Sequence, residues 1–259
     1  MQATVAPPVN HWPNSKCAKA FWGQHELPPY KQLLADTADW LEPQPGENWL
    51  DLGCGCGQLT QALWEKSGGR VGSILGIDIA AVNEQAYARL RSAANPAANK
   101  SQIAFQAHDF SNGLPFLRDG EFDGIVSGLS IQYAEHYSND LGRWTTRAYD
   151  RLLGEIYRVL RPGSTFVFSV NVPEPAWGKV AIKSLSGVFH VRKPARYLKN
   201  SWRMMRYGRW LSGEARTGRF LYLPIGDIRK KLSAAGFYEI EDRLTYVGQA
   251  YLIRCKKPA

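Results

Sequence analysis

The sequence predicts an α/β fold: a doubly wound, mostly parallel sheet with a C-terminal antiparallel hairpin and a segment inserted after the fifth strand. Three observations carry this. Short apolar runs alternate with amphipathic helical stretches, a glycine-rich turn follows the first run, and the chain ends in two strands joined too closely for a helical crossover. The 259 residues, 44% hydrophobic and 21% charged, suffice for one large core and exclude a disordered or fibrous chain.

Element by element, a polar lead precedes a helix over about 29–41, with Leu33, Leu34, Ala38 and Leu41 on one side and Pro43 and Pro45 after it. Residues 48–52 form a short buried strand. Gly53 to Gly57 turn the chain into a helix bearing Leu59, Ala62 and Leu63, which Ser67, Gly68 and Gly69 stop. A second strand over 71–79 leads into a helix over 80–94, with Val82, Ala86 and Leu90 at four-residue spacing and Asn95 and Pro96 as its stop. Ile103, Phe105 and Ala107 alternate as a third strand, and 122–127 is a fourth. A long helix over 144–160 ends at Arg161, Pro162 and Gly163, and 164–171 is the fifth strand. After the interruption at 172–223 come a helix over 225–235 and strands over 238–245 and 246–256. The expected organisation is a helical lead over 1–45 and one domain over 46–259, with 172–223 inserted as a basic aromatic lid.

Charge sets that insertion apart. The net charge is +9, yet between residues 179 and 220 eleven Lys and Arg face one acid, Glu214, so the rest of the chain is near neutral. Phe189, Tyr197, Trp202, Tyr207, Trp210, Phe220 and Tyr222 are interleaved with these bases. Drawn as a helix, 197–211 places Leu198, Trp202 and Met205 on one side and Arg203, Arg206 and Arg209 elsewhere. Three readings stand: a membrane-facing surface, a grip on phosphates and stacked bases, or a solvated lid whose basic side chains lie over apolar surface. No apolar run approaches the roughly 18 residues of a membrane span. The first ten residues lack the basic start and apolar stretch of a secretory signal, so the expected compartment is cytoplasmic, with peripheral membrane contact through 179–220 under the first reading. Cys54 and Cys56 sit one residue apart, and Cys17 and Cys255 lie near opposite ends, a spacing unlike zinc pairs, so no metal is expected.

The glycine turn reads Asp51, Leu52, Gly53, Cys54, Gly55, Cys56, Gly57. A dinucleotide fingerprint started at Gly53 places Gln58 where a small residue is needed, and started at Gly55 places Thr60 there, so both registers fail. The turn instead resembles the first motif of the class I (Rossmann-like) S-adenosylmethionine (SAM) dependent methyltransferases. Gly76, Ile77, Asp78 and Ile79 resemble the second motif, and His108, Asp109 and Phe110 the third. Residues 122–127 resemble the fourth strand, and 160–163 the turn before the fifth. The closing hairpin also matches, and the resemblance covers about 46–171 and 224–256.

The resemblance implies SAM as cofactor, held by Asp51, Gly53, Gly55, Gly57, Asp78, Ile79, Asp109, Phe110 and Ser127. Carboxylates at strand ends suit the ammonium, diol and amine donors of that cofactor. The loop after the fourth strand faces the methyl group in this family, which makes His136 the candidate base and Tyr133, beside Gln132, a candidate catalytic residue. Trp22, His25 and Tyr30 either fold over the cofactor or anchor the lead. Cys54 and Cys56 read as fillers of the turn. The two-proline aromatic motif used on nucleobase amines is absent, since Ser127, Gly128, Leu129 and Ser130 stand there, which disfavours nucleic acid. The pattern is nearer the small-molecule and quinone-biosynthesis (type 11) methyltransferases. The expected activity is methyl transfer to a small hydrophobic or anionic acceptor, lipid-like or quinone-like. The alternatives are an RNA methyltransferase, a nicotinamide-dependent oxidoreductase and a non-catalytic SAM-binding module.

Overall fold

The computed structural model describes residues 10–94, 102–185, 187–188 and 194–259. The expected helix stop at Asn95 and Pro96, and Phe189, Arg192 and Lys193 of the basic segment, lie outside them, as does nearly all of the leader reading over the first ten residues. The lead forms α1 (Ser15–Phe21) and α2 (Pro28–Trp40), followed by β1 (Asn48–Leu52), α3 (Gln58–Lys66), β2 (Ser73–Asp78), α4 (Glu84–Ala94), β3 (Ile103–Ala107) and β4 (Phe122–Gly128). Then come β5 (His136–Ser138), β6 (Arg143–Thr145), α5 (Arg147–Val159) and β7 (Leu160–Asn171). The chain closes with α6 (Trp177–Leu185), α7 (Pro194–Arg216), α8 (Ile225–Ala234), β8 (Tyr238–Thr245) and β9 (Ala250–Lys256).

Seven strands form one sheet in the order β3-β2-β1-β4-β7-β9-β8. β1 pairs in parallel with β2 and β4, β4 with β7, and β9 runs antiparallel between β7 and β8. Neighbouring side chains on β1 go to opposite faces, as a parallel sheet covered on both sides requires. Leu50 joins Leu152, Ile156, Phe166, Phe168 and Leu232 in one core. Trp49 joins Leu63, Trp64, Ile74, Tyr87 and Val167 in the other.

Four boundaries differ from the sequence reading by three residues or more. The helix expected from Ala80 begins at Glu84, after a short helical turn over Ala81–Asn83. The helix expected from Trp144 begins at Arg147, because Trp144 is taken into a hairpin with β5, where its ring meets Tyr137 edge-on at 5.2 Å. The fifth strand begins at Leu160, so Arg161, Pro162 and Gly163 extend β7 rather than precede it, with an irregular register against β4. The last strand begins at Ala250 and not at Tyr246: Tyr246 and Val247 take left-handed φ values of 54° and 59° and form the hairpin turn. Burial holds Tyr246 in that conformation, against Leu33, Val180 and Ala250.

Candidate functional site

The carboxyl ends of β1 and β4 flank the point where strand order reverses, which is where open α/β sheets bind ligands. A cavity lies there, with about 1420 Å³ of empty space counting its mouth. The sheet edge contributes Gly53, Gly55, Asp78, Ile79, Asp109, Phe110, Leu129, Ser130, Tyr133 and Asn171 to its wall. Trp12, Phe21, Trp22 and Tyr30 enter from the lead, and Trp177, Val180, Met204, Met205 and Leu211 from α6 and α7.

The glycine turn is built for close approach. A Cβ on Gly53, at φ 71°, would stand 2.1 Å from Ser130 Oγ, so only glycine lets the turn seat against the loop after β4. Gly55 is different: at φ 52° a Cβ there would meet nothing within 4 Å, and its bare backbone faces open space in the cavity wall. Asp78 pins this loop. Its Oδ2 accepts the Gly55 N–H at 3.0 Å and its Oδ1 the Ala80 N–H at 2.8 Å, while burial raises its pKa against the pull of those bonds. Asp109 accepts the Ser111 N–H at 2.9 Å, and its other oxygen lies 3.5 Å from Asn10 Nδ2.

Asp51 lies behind the cavity wall. Its Oδ2 accepts from the N–H and the hydroxyl of Thr60, at 3.1 and 2.8 Å, and so caps α3 from the neighbouring strand. Its Oδ1 is buried without a partner. Burial pushes the carboxyl up to about 7, the Thr60 bonds oppose the rise, and the charge of Asp78 adds to it. Gly57 is also outside the wall, starting α3 as a left-handed cap. Ser127 is fully buried and donates to Leu52 O at 2.8 Å, so Ser130, whose Oγ lies 2.7 Å away, is the hydroxyl that reaches the cavity. Burial raises both turn thiols, Cys56 to about 11, which keeps them protonated.

The two catalytic candidates separate. After the short helical turn Ile131–Tyr133 the chain leaves the cavity for the β5–β6 hairpin and takes His136 with it. The imidazole Nδ1 there bonds Thr145 Oγ1 at 2.8 Å, so the expected base is not in the cavity wall. Tyr133 is in it. Its hydroxyl lies 3.1 Å from that of Tyr222, and burial pushes its pKa up to about 12, with Tyr222, Gln132 and Asn171 pulling it down. It is therefore a neutral donor at ordinary pH.

Two wall residues escaped the sequence reading. Asn171 ends β7 with Oδ1 buried and unpartnered, and Trp12 holds a buried, unpartnered Nε1 while its ring packs on Tyr133 at 4.6 Å. The available signal for Asn171 was a carboxamide at the carboxyl end of a strand; Trp12 gave none. Leu129, also in the wall, takes a left-handed φ of 49°, a strained value for a branched residue, and its N–H is held by Ser169 O at 3.0 Å. The lead covers the opening. Trp22 Nε1 donates to Asn83 Oδ1 at 2.8 Å, and His11 Nε2 lies 2.7 Å from Tyr207 OH, its pKa lowered to about 4 by burial and by Arg219. Tyr30 lines the cavity, whereas His25 stands outside, 3.4 Å from Gln58 Nε2.

Residues 50–168, just under half of the chain, match the family model described as a methyltransferase domain. A demethylmenaquinone methyltransferase of Symbiobacterium thermophilum is 33% identical over 124 residues, which is 48% of this chain and 42% of that protein. The 24-methylenesterol C-methyltransferase 2 of Oryza sativa is 32% identical over 131 residues, 51% of this chain and 31% of that one. The chain spans between 20% and 52% of the length of the curated relatives it matches. A SAM-dependent methyltransferase of Aquifex aeolicus shares the fold, with a TM-score of 0.55, 13% identity, and coverage of 93% of this chain and 96% of that one.

Proposed function

We propose that this chain is a SAM-dependent methyltransferase whose acceptor is a small, largely apolar molecule carrying a hydrogen-bonding group. The observation that carries the reading is the meeting of Asp78, Asp109 and the bare Gly55 backbone at the sheet edge, beside an aromatic and aliphatic space that contains the unpartnered Asn171 Oδ1. The residues present fit the cofactor. Asp78 keeps lone pairs for a ribose diol, Asp109 for an adenine amine, and Ile79 and Phe110 offer apolar contact to a ring. Bound SAM supplies a methyl group already activated by its sulfonium, so placement is the protein's main share of the catalysis.

The acceptor reading rests on the other side of the cavity. Trp177, Val180, Met204, Met205 and Leu211 offer apolar surface, while Tyr133 donates and Asn171 Oδ1 accepts, which suits a molecule with a hydroxyl or carbonyl at one end. Relatives named for demethylmenaquinone and for a sterol support an acceptor of that kind.

The test is incubation with methyl-labelled SAM and fractionated lipid, metabolite and RNA extracts. Label is expected in the lipid or apolar metabolite fraction. Tyr133→Phe and Asn171→Leu should each lower transfer about tenfold with SAM affinity unchanged, as loss of one buried hydrogen bond predicts. Label confined to RNA, no label in any fraction, or a melting temperature raised by NAD or NADP and not by SAM would overturn the reading.

A further inference from the structure

The inserted helices α6 and α7 pack on each other and have two unlike sides. Val180, Ala181 and Ser184 of α6, with Ser201, Met204 and Met205 of α7, line the cavity. The outer side should then be polar, as on an ordinary surface helix. It is not: Ile182 is 70% exposed, Trp202 56%, Leu185 49% and Leu198 42%. With Trp210 at 37%, five of the nine large hydrophobic side chains exposed among the described residues lie on this one helix pair. Between them stand exposed bases, Lys179 and Lys183 on α6 and Lys199, Arg203, Arg206 and Arg209 on α7. The two helices together carry eight Lys and Arg and one acid, Glu214, whose carboxylate is engaged by Arg219.

We infer that the outer face of α6 and α7 docks on an anionic lipid bilayer surface, with Ile182, Leu198 and Trp202 entering the headgroup boundary and the flanking bases meeting lipid phosphates. Aliphatic side chains that stand in water among cations gain from such a boundary twice, by burial and by charge, and gain nothing from water alone. A nucleic-acid strand suits the face less well. It needs bare aromatic platforms, whereas Arg206 lies over the Trp202 ring at 4.8 Å and Ile182, Leu185 and Leu198 have no ring to stack. Because the inner sides of the same helices line the cavity, a bilayer-held acceptor would sit one helix layer from the catalytic space. Only this last consequence rests on the function proposed above.

Sedimentation of the full chain with vesicles tests the inference, using phosphatidylcholine alone or mixed with phosphatidylglycerol. The chain should sediment with the mixed vesicles, not with phosphatidylcholine alone, and less as salt rises. The double variants Ile182→Ser with Trp202→Ser, and Lys199→Glu with Arg203→Glu, should each weaken binding about tenfold or more. Their melting temperatures and SAM affinities should stay at the wild-type values, which separates a lost surface from a lost fold. A wild-type chain that stays in the supernatant, variants that sediment as it does, or a face that binds single-stranded RNA and not vesicles overturns the inference. Failure of the wild-type chain to bind SAM would instead sink the proposed activity and leave the sedimentation result standing.

Discussion

Asp51→Asn keeps the size of a buried side chain and removes its charge, and the structure dictates how the consequence depends on pH. The carboxyl is 1% exposed, and burial carries it from the usual 3.8 to about 7. At about 1.36 kcal/mol per pH unit, holding it ionised above pH 7 costs the folded chain on the order of 4 kcal/mol. The folded value lies above the unfolded one, so between about pH 4 and pH 7 the folded chain binds a proton that the unfolded chain has released. Stability on this account is highest below that window, falls as pH rises through it, and is level above it. Asparagine has no such penalty. Its amide oxygen can keep the Thr60 bonds, but its N–H₂ takes the unpartnered Oδ1 position at a cost of about 1–3 kcal/mol. The apoprotein variant should therefore unfold with about 1–3 kcal/mol more stability than wild type near pH 8, with the order reversed near pH 4. Burial raises Asp78 in both proteins, so its own titration largely cancels in the difference. Thermal melts across this range measure the gap. Stability curves that run parallel throughout would refute the reasoning.

Asp78→Ala releases the Gly55 and Ala80 N–H groups and removes the diol acceptor, so SAM affinity should fall by about 2–4 kcal/mol in calorimetry. The two turn glycines should fail differently: Gly53→Ala collides with Ser130 and lowers the melting temperature sharply, whereas Gly55→Ala costs only about 1–2 kcal/mol of stability yet blocks SAM binding. His136→Ala should leave methyl transfer within about twofold, because its ring bonds Thr145 outside the cavity and a partly exposed contact of that kind is worth about 1 kcal/mol or less to the fold. Arg219→Met strands Glu135, whose carboxylate is 10% exposed and lies 2.6 Å from the guanidinium, and denaturant unfolding should show a loss of about 3–5 kcal/mol.

Local chemistry determined much of this protein. Short apolar runs locate β1, β2 and β4, alternation locates β3, and helical spacing locates α3, since each pattern lies within one short element. The acids at 51, 78 and 109 and the glycines at 53 and 55 are legible too, because strand ends and left-handed turns restrict residue type within a few positions. What the sequence could not decide depends on partners far along the chain. Trp144 leaves its helix for Tyr137, Tyr246 is bent into a turn by Leu33 and Val180, and His136 departs with a hairpin. Trp12, Ser130 and Asn171 come together in one wall only when the lead, the loop after β4 and the end of β7 close on each other. No local pattern encodes that closure, because burial and orphaned hydrogen-bonding atoms are properties of the packed molecule and not of any single segment.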